Sequence, residues 1–286
     1  MVQFPLESFN LQMLNVGFAC HDGDWNWQQV SSPFTRIYLV IDGKARLHLH
    51  DMVAELCPGH MYIIPAYTMH SYECQGLFSH YYLHFYEGFK NETNVFEMFD
   101  FPVEVDTSDV SRRLFEDMCL NYPDARLPES NPQTYDNTTF FTDYARRYNS
   151  LPLWQKMQLR GSMLLLFSRF MQQAEPRVWT ANERMTKVLT YVNNHIHEDI
   201  DIDRLADVAC ITKYYLIRLF KKEFGISPMR YISKKKVERS QLLLITSDKP
   251  VKEVAYTMGY SDHSYFIRLF KKLVGLTPLE YRQTMR

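Results

Sequence analysis

At 286 residues, 46% hydrophobic and 23% charged, with 19 Tyr and 19 Phe, the chain is long enough for two domains and has the balance of an ordinary soluble globular protein. No run of 18 apolar residues exists, Met1–Asn10 has neither a basic nor an apolar leader region, and Cys20, Cys57, Cys74, Cys119 and Cys210 form no CxxC pair; this argues against a membrane span, a signal peptide, a disulfide framework and a zinc ribbon, and for a cytoplasmic protein with reduced thiols. The net charge of −1 conceals an asymmetry: residues 177–286 hold 20 Lys and Arg against 12 Asp and Glu, a net of +8, and the remainder carries −9, so a polyanion would meet the C-terminal part.

In chain order, residues 1 to about 105 read as strands. Runs such as Arg36–Ile41 and Phe78–Phe85 are rich in aromatic and β-branched residues, and Asp42-Gly43, Pro58-Gly59, Gln75-Gly76 and Glu87-Gly88 separate them as turns. Regularly spaced short strands suggest a sandwich or barrel. A helix is expected over 109–122, a polar loop over Pro123–Thr139, and a helical stretch over 140–174 with an apolar face of Leu153, Met157, Leu164, Phe167 and Met171. Glu175-Pro176 ends that helix and begins a linker. Seven helices follow, near 183–196, 203–209, 213–224, 228–247, 250–258, 262–274 and 278–285. Thr212 and Ser261 or Asp262 stand where N-caps belong, and Gly225 and Gly275 where helices stop.

The helical region contains an internal repeat. Tyr215–Lys222 (YLIRLFKK) and Tyr265–Lys272 (YFIRLFKK) agree at seven of eight positions at an offset of 50, and the match extends through Gly225/Gly275, Pro228/Pro278 and Tyr231/Tyr281. Upstream, Leu205–Ala209 aligns with Val254–Met258 at an offset of 49. Ala206 and Ala255 are small enough for the close crossing of a helix-turn-helix, and Gly259 suits its turn. In each copy one helix face is apolar (Leu216, Leu219, Phe220; Phe266, Leu269, Phe270), and the opposite face carries Tyr214, Ile217, Arg218 and Lys221, or Ser264, Ile267, Arg268 and Lys271. Arginine can grip guanine O6 and N7, and isoleucine can press on a thymine methyl. The roughly 20-residue connector would be about 30 Å long, close to the roughly 34 Å between successive major grooves on one face of B-DNA. Its Lys234-Lys235-Lys236 run is either a solvated face or a phosphate contact.

Residues 183–286 resemble the AraC/XylS family of bacterial transcription regulators over their whole length. The most specific part is Gly259-Tyr260-Ser261-Asp262-His263-Ser264-Tyr265-Phe266-Ile267-Arg268-Leu269-Phe270-Lys271-Lys272, continued by Gly275, Thr277-Pro278 and Tyr281-Arg282. The resemblance implies that Tyr214, Ile217 and Arg218, and His263, Ser264, Ile267 and Arg268, face the bases. Thr212, Lys213, Lys221 and Lys271 complete the expected DNA contacts, with two adjacent major grooves of double-stranded DNA read per subunit.

The N-terminal part is similar, more loosely, to a cupin. Gly59-x5-Pro65-x-Tyr67-x2-His70 looks like the second cupin motif with Tyr67 in place of glycine, and Gly43 looks like the glycine closing the first. His48, His50, Glu55 and His70 have the residue types of a metal centre, yet the His-x-His pair falls on the wrong side of Gly43. By that alignment Arg36 occupies the glutamate position, and a guanidinium offers no lone pair to a metal. Trp25, Trp27, Arg36, His70, Tyr72, His80 and Tyr82 instead supply the aromatic faces and hydrogen-bonding groups of a pocket for a sugar or small carboxylate metabolite. Which face of the His80–Tyr82–His84 strand looks inward is open at this stage, and an aromatic core without a ligand is the alternative.

The sequence therefore points to an α+β multidomain protein: a cupin-like ligand-sensing β-barrel over 1–105, a helical dimerisation segment and linker over 106–176, and an all-α tandem helix-turn-helix domain over 177–286. The expected function is a non-enzymatic transcription regulator without cofactor or metal, controlled by a small-molecule effector, acting as a homodimer away from membranes, with RNA polymerase as a further partner. The competing readings are a metal-dependent cupin enzyme fused to a DNA-binding domain, and a regulator whose barrel only dimerises.

Overall fold

The computed structural model describes residues 9–88, 95–132, 138–177 and 182–284. The expectations for the leader at 1–8, for 133–137 of the polar loop, for 178–181 of the linker and for the last residue of the final helix lie outside them. The chain divides into two compact units: Leu11–Glu87 with Phe101–Ala174, and Glu175–Arg286 with Met1–Asn10 and Gly88–Asp100.

The first unit is a seven-stranded antiparallel sheet with helices. Its strands are β1 (Leu11–Asp22), β2 (Trp27–Val30), β3 (Thr35–His48), β4 (Val53–Leu56), β5 (His60–Ile64) and β6 (His70–Glu87). After β6 the chain passes through α1 (Val95–Met98) and β7 (Phe99–Asp100), which belong to the other unit, and rejoins the sheet as β8 (Glu104–Asp106). The order is β1-β6-β3-β5-β8, with β2 on β6 and β4 on β3; this sheet-rich region agrees with the expected cupin-like domain. The long strand β6 pairs with β1 from Leu77 to Glu87 and with β3 from Ser71 to Phe85. Its first two-thirds buries alternate residues, His70, Tyr72, Cys74, Phe78, His80 and Tyr82, as period-two geometry requires. From Leu83 to Tyr86 every residue is buried. Thus His80 and Tyr82 lie on the inward face, settling the orientation that alternation alone left open.

The helices of this unit are α2 (Asp109–Asn121), α3 (Thr138–Ser150) and α4 (Leu153–Met171). Ser108 caps α2 by accepting from Ser111 N. The single helical stretch expected over 140–174 is two helices, because Pro152 interrupts it and takes the N-cap position of α4; proline disfavours helical backbone before it and lacks the N–H that a helix interior needs. The face of α4 that packs inward is Leu159, Met163, Leu166, Phe167 and Phe170, with Phe167 edge-on to Phe85. Leu153, Trp154, Met157 and Leu165 are exposed. The apolar face named from the sequence is therefore divided: Phe167 fills the core, and Leu153 and Met157 face solvent.

The helical unit contains α5 (Glu183–Asn194), α6 (Ile202–Val208), α7 (Lys213–Phe224), α8 (Pro228–Thr246), α9 (Val251–Thr257), α10 (His263–Val274) and α11 (Pro278–Thr284), within a residue or two of the expected helices. Its first half buries Val188, Leu189, Val192, Leu205, Leu216 and Phe220 among others, and Met98 of α1 sits in the same core. A short ladder pairs β7 with β9 (Glu175–Pro176). Glu97 accepts a hydrogen bond from Tyr231 Oη at 2.9 Å and pairs with Lys235 Nζ at 2.5 Å. Burial pushes the Glu97 carboxyl up, but the Lys235 ammonium outweighs it and holds the group below its ordinary value. Among the described residues no helix is long and apolar enough to cross a membrane.

Candidate nucleic-acid interface and sheet cavity

The two copies of the repeat fold alike down to their hydrogen bonds. In the first, Ile211 N donates to Ala206 O at 3.0 Å, and in the second Tyr260 N donates to Ala255 O at 3.0 Å. Thr212 and Asp262 cap α7 and α10 by accepting from Tyr215 N and Ser264 N. Both helices end at a left-handed glycine, Gly225 and Gly275, whose N–H reaches the carbonyl of Lys221 or Lys271. Phe220 meets Tyr231 at 5.6 Å and 68°, and Phe270 meets Tyr281 at the same distance and angle. Similar local chemistry has given the two copies the same turn hydrogen bond, glycine C-cap and Phe–Tyr core contact.

On the outward faces of α7 and α10, Tyr214, Arg218 and Lys221 are exposed, as are Ser264, Arg268 and Lys271. Ile217, Ile267 and His263 are half-buried, so the isoleucines lend part of their surface to the core. Lys213 is exposed and paired with Asp203. Thr212, expected among the DNA contacts, spends its hydroxyl on the helix cap. Arg268 lies 3.9 Å from Asp262, with its side chain 70% exposed, so it has freedom to extend toward a ligand.

The lysine run on α8 is not one patch. Lys234 is exposed, Lys235 is held by Glu97 and Glu238, and Lys236 is buried. Alternation around a helix turns three adjacent residues to three directions, which a linear reading of the run conceals.

In the sheet unit a cavity of about 110 Å³ is lined by His21, Trp25, Tyr38, His80, Tyr82 and His84, with residues 126–130 beside them. Trp25 is the centre of a ring pile: it stacks on Tyr72 at 4.1 Å, on Phe78 at 5.3 Å and on His21 at 5.4 Å. Of the residues expected to bind a ligand, Trp25, His80 and Tyr82 meet in this wall. Tyr82 Oη accepts from Leu127 N at 2.8 Å, which ties the wall to the segment beside it. Arg36, His70, Tyr72 and Trp27 do not line it. Arg36 donates to Ser32 Oγ at 2.6 Å and lies over the Phe34 ring at 4.4 Å. His70 and Tyr72 join a buried chain, His70 Nε2 to Tyr72 Oη at 2.8 Å and Tyr72 Oη to Tyr38 Oη at 2.7 Å. The imidazole and the two phenols satisfy one another, as buried polar groups in a core commonly do. Sequence reasoning missed His21 and Tyr38 in the wall; only the sheet register brings them beside His80.

Burial disfavours the charged form of His21, His70, His80 and His84. It holds His80 and His84 well below the ordinary imidazole range, lowers His21 despite Asp24, and brings His70 to about 3 with help from the Arg36 charge. His48 is directed elsewhere, bonding Glu73 Oε2 at 3.1 Å, so His48, Glu55 and His70 do not converge. Among the described residues no group of three or more His, Cys, Asp and Glu could hold a metal ion.

Residues 205–284 match a family model described as a helix-turn-helix domain. The chain is 31% identical over 84 residues to the probable transcriptional regulator LumQ of Photobacterium leiognathi, covering 29% of this chain and 34% of that protein. It is 26% identical over 117 residues to the transcriptional activator RhaS of Escherichia coli, covering 41% and 42%. These matches span less than half the length of either curated relative. The crystal structure of ToxT from Vibrio cholerae O395 aligns over 96% of this chain and 98% of its own, with a TM-score of 0.50 at 12% identity; this likeness concerns the fold.

Proposed function

From the premise that its C-terminal helices form a helix-turn-helix domain of the AraC/XylS family, we propose that this chain is a cytoplasmic transcription regulator that reads double-stranded DNA with α7 and α10. The observation that carries the reading is the repetition of one outward surface, Tyr214, Arg218 and Lys221 against Ser264, Arg268 and Lys271, on two units with the same turn, caps and core packing. The connector α8 has 19 residues, about 28 Å of helix, a span suited to two successive major grooves. In functional terms residues 1–105 sense, 106–176 dimerise and 177–286 read, with 95–100 structurally part of the reader.

Control by a small molecule in the sheet unit is the second element of the proposal. The aromatic cavity beside His80 and Tyr82 supports it, and its size favours a ligand of few non-hydrogen atoms. Homodimerisation through the exposed side of α4 is the third. Leu153, Met157, Gly161, Leu164 and Leu165 fall within about 120° of one another on a helical wheel, and Trp154 lies inside that arc.

The decisive experiment selects binding sites for the full chain from a random duplex library and compares affinity for the selected and scrambled sequences. Enrichment of two conserved patches about one helical turn apart is expected. Equal affinity for both pools would end the sequence-specific reading. A thermal-shift screen of sugars and central metabolites tests the sensing element, because a ligand of the native state raises its melting temperature.

A further inference from the structure

Lys236 of α8 lies where the two copies of the repeat meet. Its side chain is buried, and Nζ donates to Glu198 O at 2.6 Å and to Met258 O at 2.8 Å. Glu198 follows the end of α5 in the first unit, and Met258 is the C-cap of α9 in the second. One ammonium therefore bridges a carbonyl in the turn that follows α5 and the C-cap carbonyl of α9, where the partial negative charge of the helix end favours a cation. The same nitrogen lies 5.0 Å from the centre of the Tyr260 ring, in cation–π range.

Two further contacts close the same junction. His197 Nδ1 lies 3.0 Å from Thr257 O, within hydrogen-bonding distance. Gly259 has φ +72°, and a β-carbon there would stand 2.5 Å from His197 O. The turn of the second unit thus rests directly on the backbone of the first.

We infer that Lys236, with His197 and Gly259, fixes the distance and rotation between α7 and α10 and so sets the spacing between the two DNA patches that the protein accepts. The inference rests on the DNA-reading proposal above. Inserting one base pair between the patches moves the second by about 3.4 Å along the axis and turns it by roughly 34°. A rigid pair of readers cannot follow that rotation, whereas a loosened pair can.

The test uses the full chain and the duplexes enriched from the random library, remade with one base pair added or removed between the conserved patches. For the unaltered protein each change is expected to weaken binding tenfold or more. For Lys236→Met, affinity for the parent duplex is expected to fall three- to tenfold, and the penalty for either spacing change to shrink to about threefold or less. A spacing penalty unchanged in Lys236→Met overturns the inference while leaving sequence-specific reading intact. Loss of enrichment in the unaltered protein defeats the underlying reading instead. Should Lys236→Met not fold, His197→Ala carries the decision, since that side chain is exposed and its removal leaves the buried ammonium in place. A spacing penalty at least halved in His197→Ala supports the clamp, and an unchanged one overturns it.

Discussion

Arg268 and Arg218 occupy equivalent places on two helices, are exposed, and carry a side chain suited to a bidentate guanine contact. Arg268→Ala is expected to cost about 1–3 kcal/mol on the selected duplex and less on random DNA; equal losses in a titration of both would assign the residue to phosphate. The turn residues supply a second expectation. Cys210 and Gly259 are equivalent in the repeat, and both have positive φ, 51° and 72°. Cys210 is exposed and bears the strain of a left-handed backbone, so Cys210→Gly is expected to raise stability by roughly 0.5–1 kcal/mol, net of the extra freedom of the unfolded glycine. Gly259→Ala is expected to lower it by about 2 kcal/mol or more, since backbone strain adds to the close approach to His197 O. Denaturant midpoints of the two variants should move in opposite directions. The exposure of Arg218 and Arg268 on equivalent helix faces was legible because they recur at one offset. The cap role of Thr212 and the contacts of Arg36 with Ser32 and Phe34 were harder to see, because each depends on partners whose geometry no motif states.

The helices of the reader were visible in the sequence because apolar period, caps and terminal glycines agree at every level, the condition under which local signals are trustworthy. The stretch over 140–174 shows the opposite case. Its periodicity runs on through Leu151-Pro152, and the proline, not the apolar pattern, decides where α3 stops and α4 starts. The split of α4 into a packed and an exposed side leads to a prediction at this scale. Met157 is 65% exposed, so Met157→Asp should leave the melting temperature nearly unchanged, within the roughly 0.5 kcal/mol typical of surface substitutions. If α4 joins two copies, the same substitution buries a charge in their interface and shifts sedimentation at micromolar concentration from dimer to monomer. A dimer that persists in Met157→Asp would place the interface elsewhere.

For the whole molecule, the buried histidines make stability depend on pH. Their folded pKa values are depressed, His70 to about 3, while in the unfolded chain imidazole titrates near 6.5. Above about pH 7 both states are neutral and the full stability is present. As pH falls below 6.5 the unfolded chain takes up protons that the folded sheet refuses, so stability is lost, by up to about 1.4 kcal/mol per pH unit for each such histidine. Melting of the full chain should therefore move to lower temperature between pH 7 and pH 5, and a flat profile would contradict the neutral cluster. At this scale the sequence was least informative: nothing near Glu97 indicates that it meets Tyr231 and Lys235, residues more than 130 positions away. Glu97→Ala removes the acceptor of Tyr231 and one partner of the part-buried Lys235, so it is expected to lower the thermal midpoint of the helical unit. That chain path also governs how such proteins can be recombined. A graft that transplants this helical unit onto a foreign domain by a single cut near residue 177 leaves Tyr231 without its acceptor, Lys235 with Glu238 alone and the core without Met98. A stable chimera has to import two separate stretches, 95–100 and 175 onward, so this helical unit is joined to any other domain at two junctions instead of one.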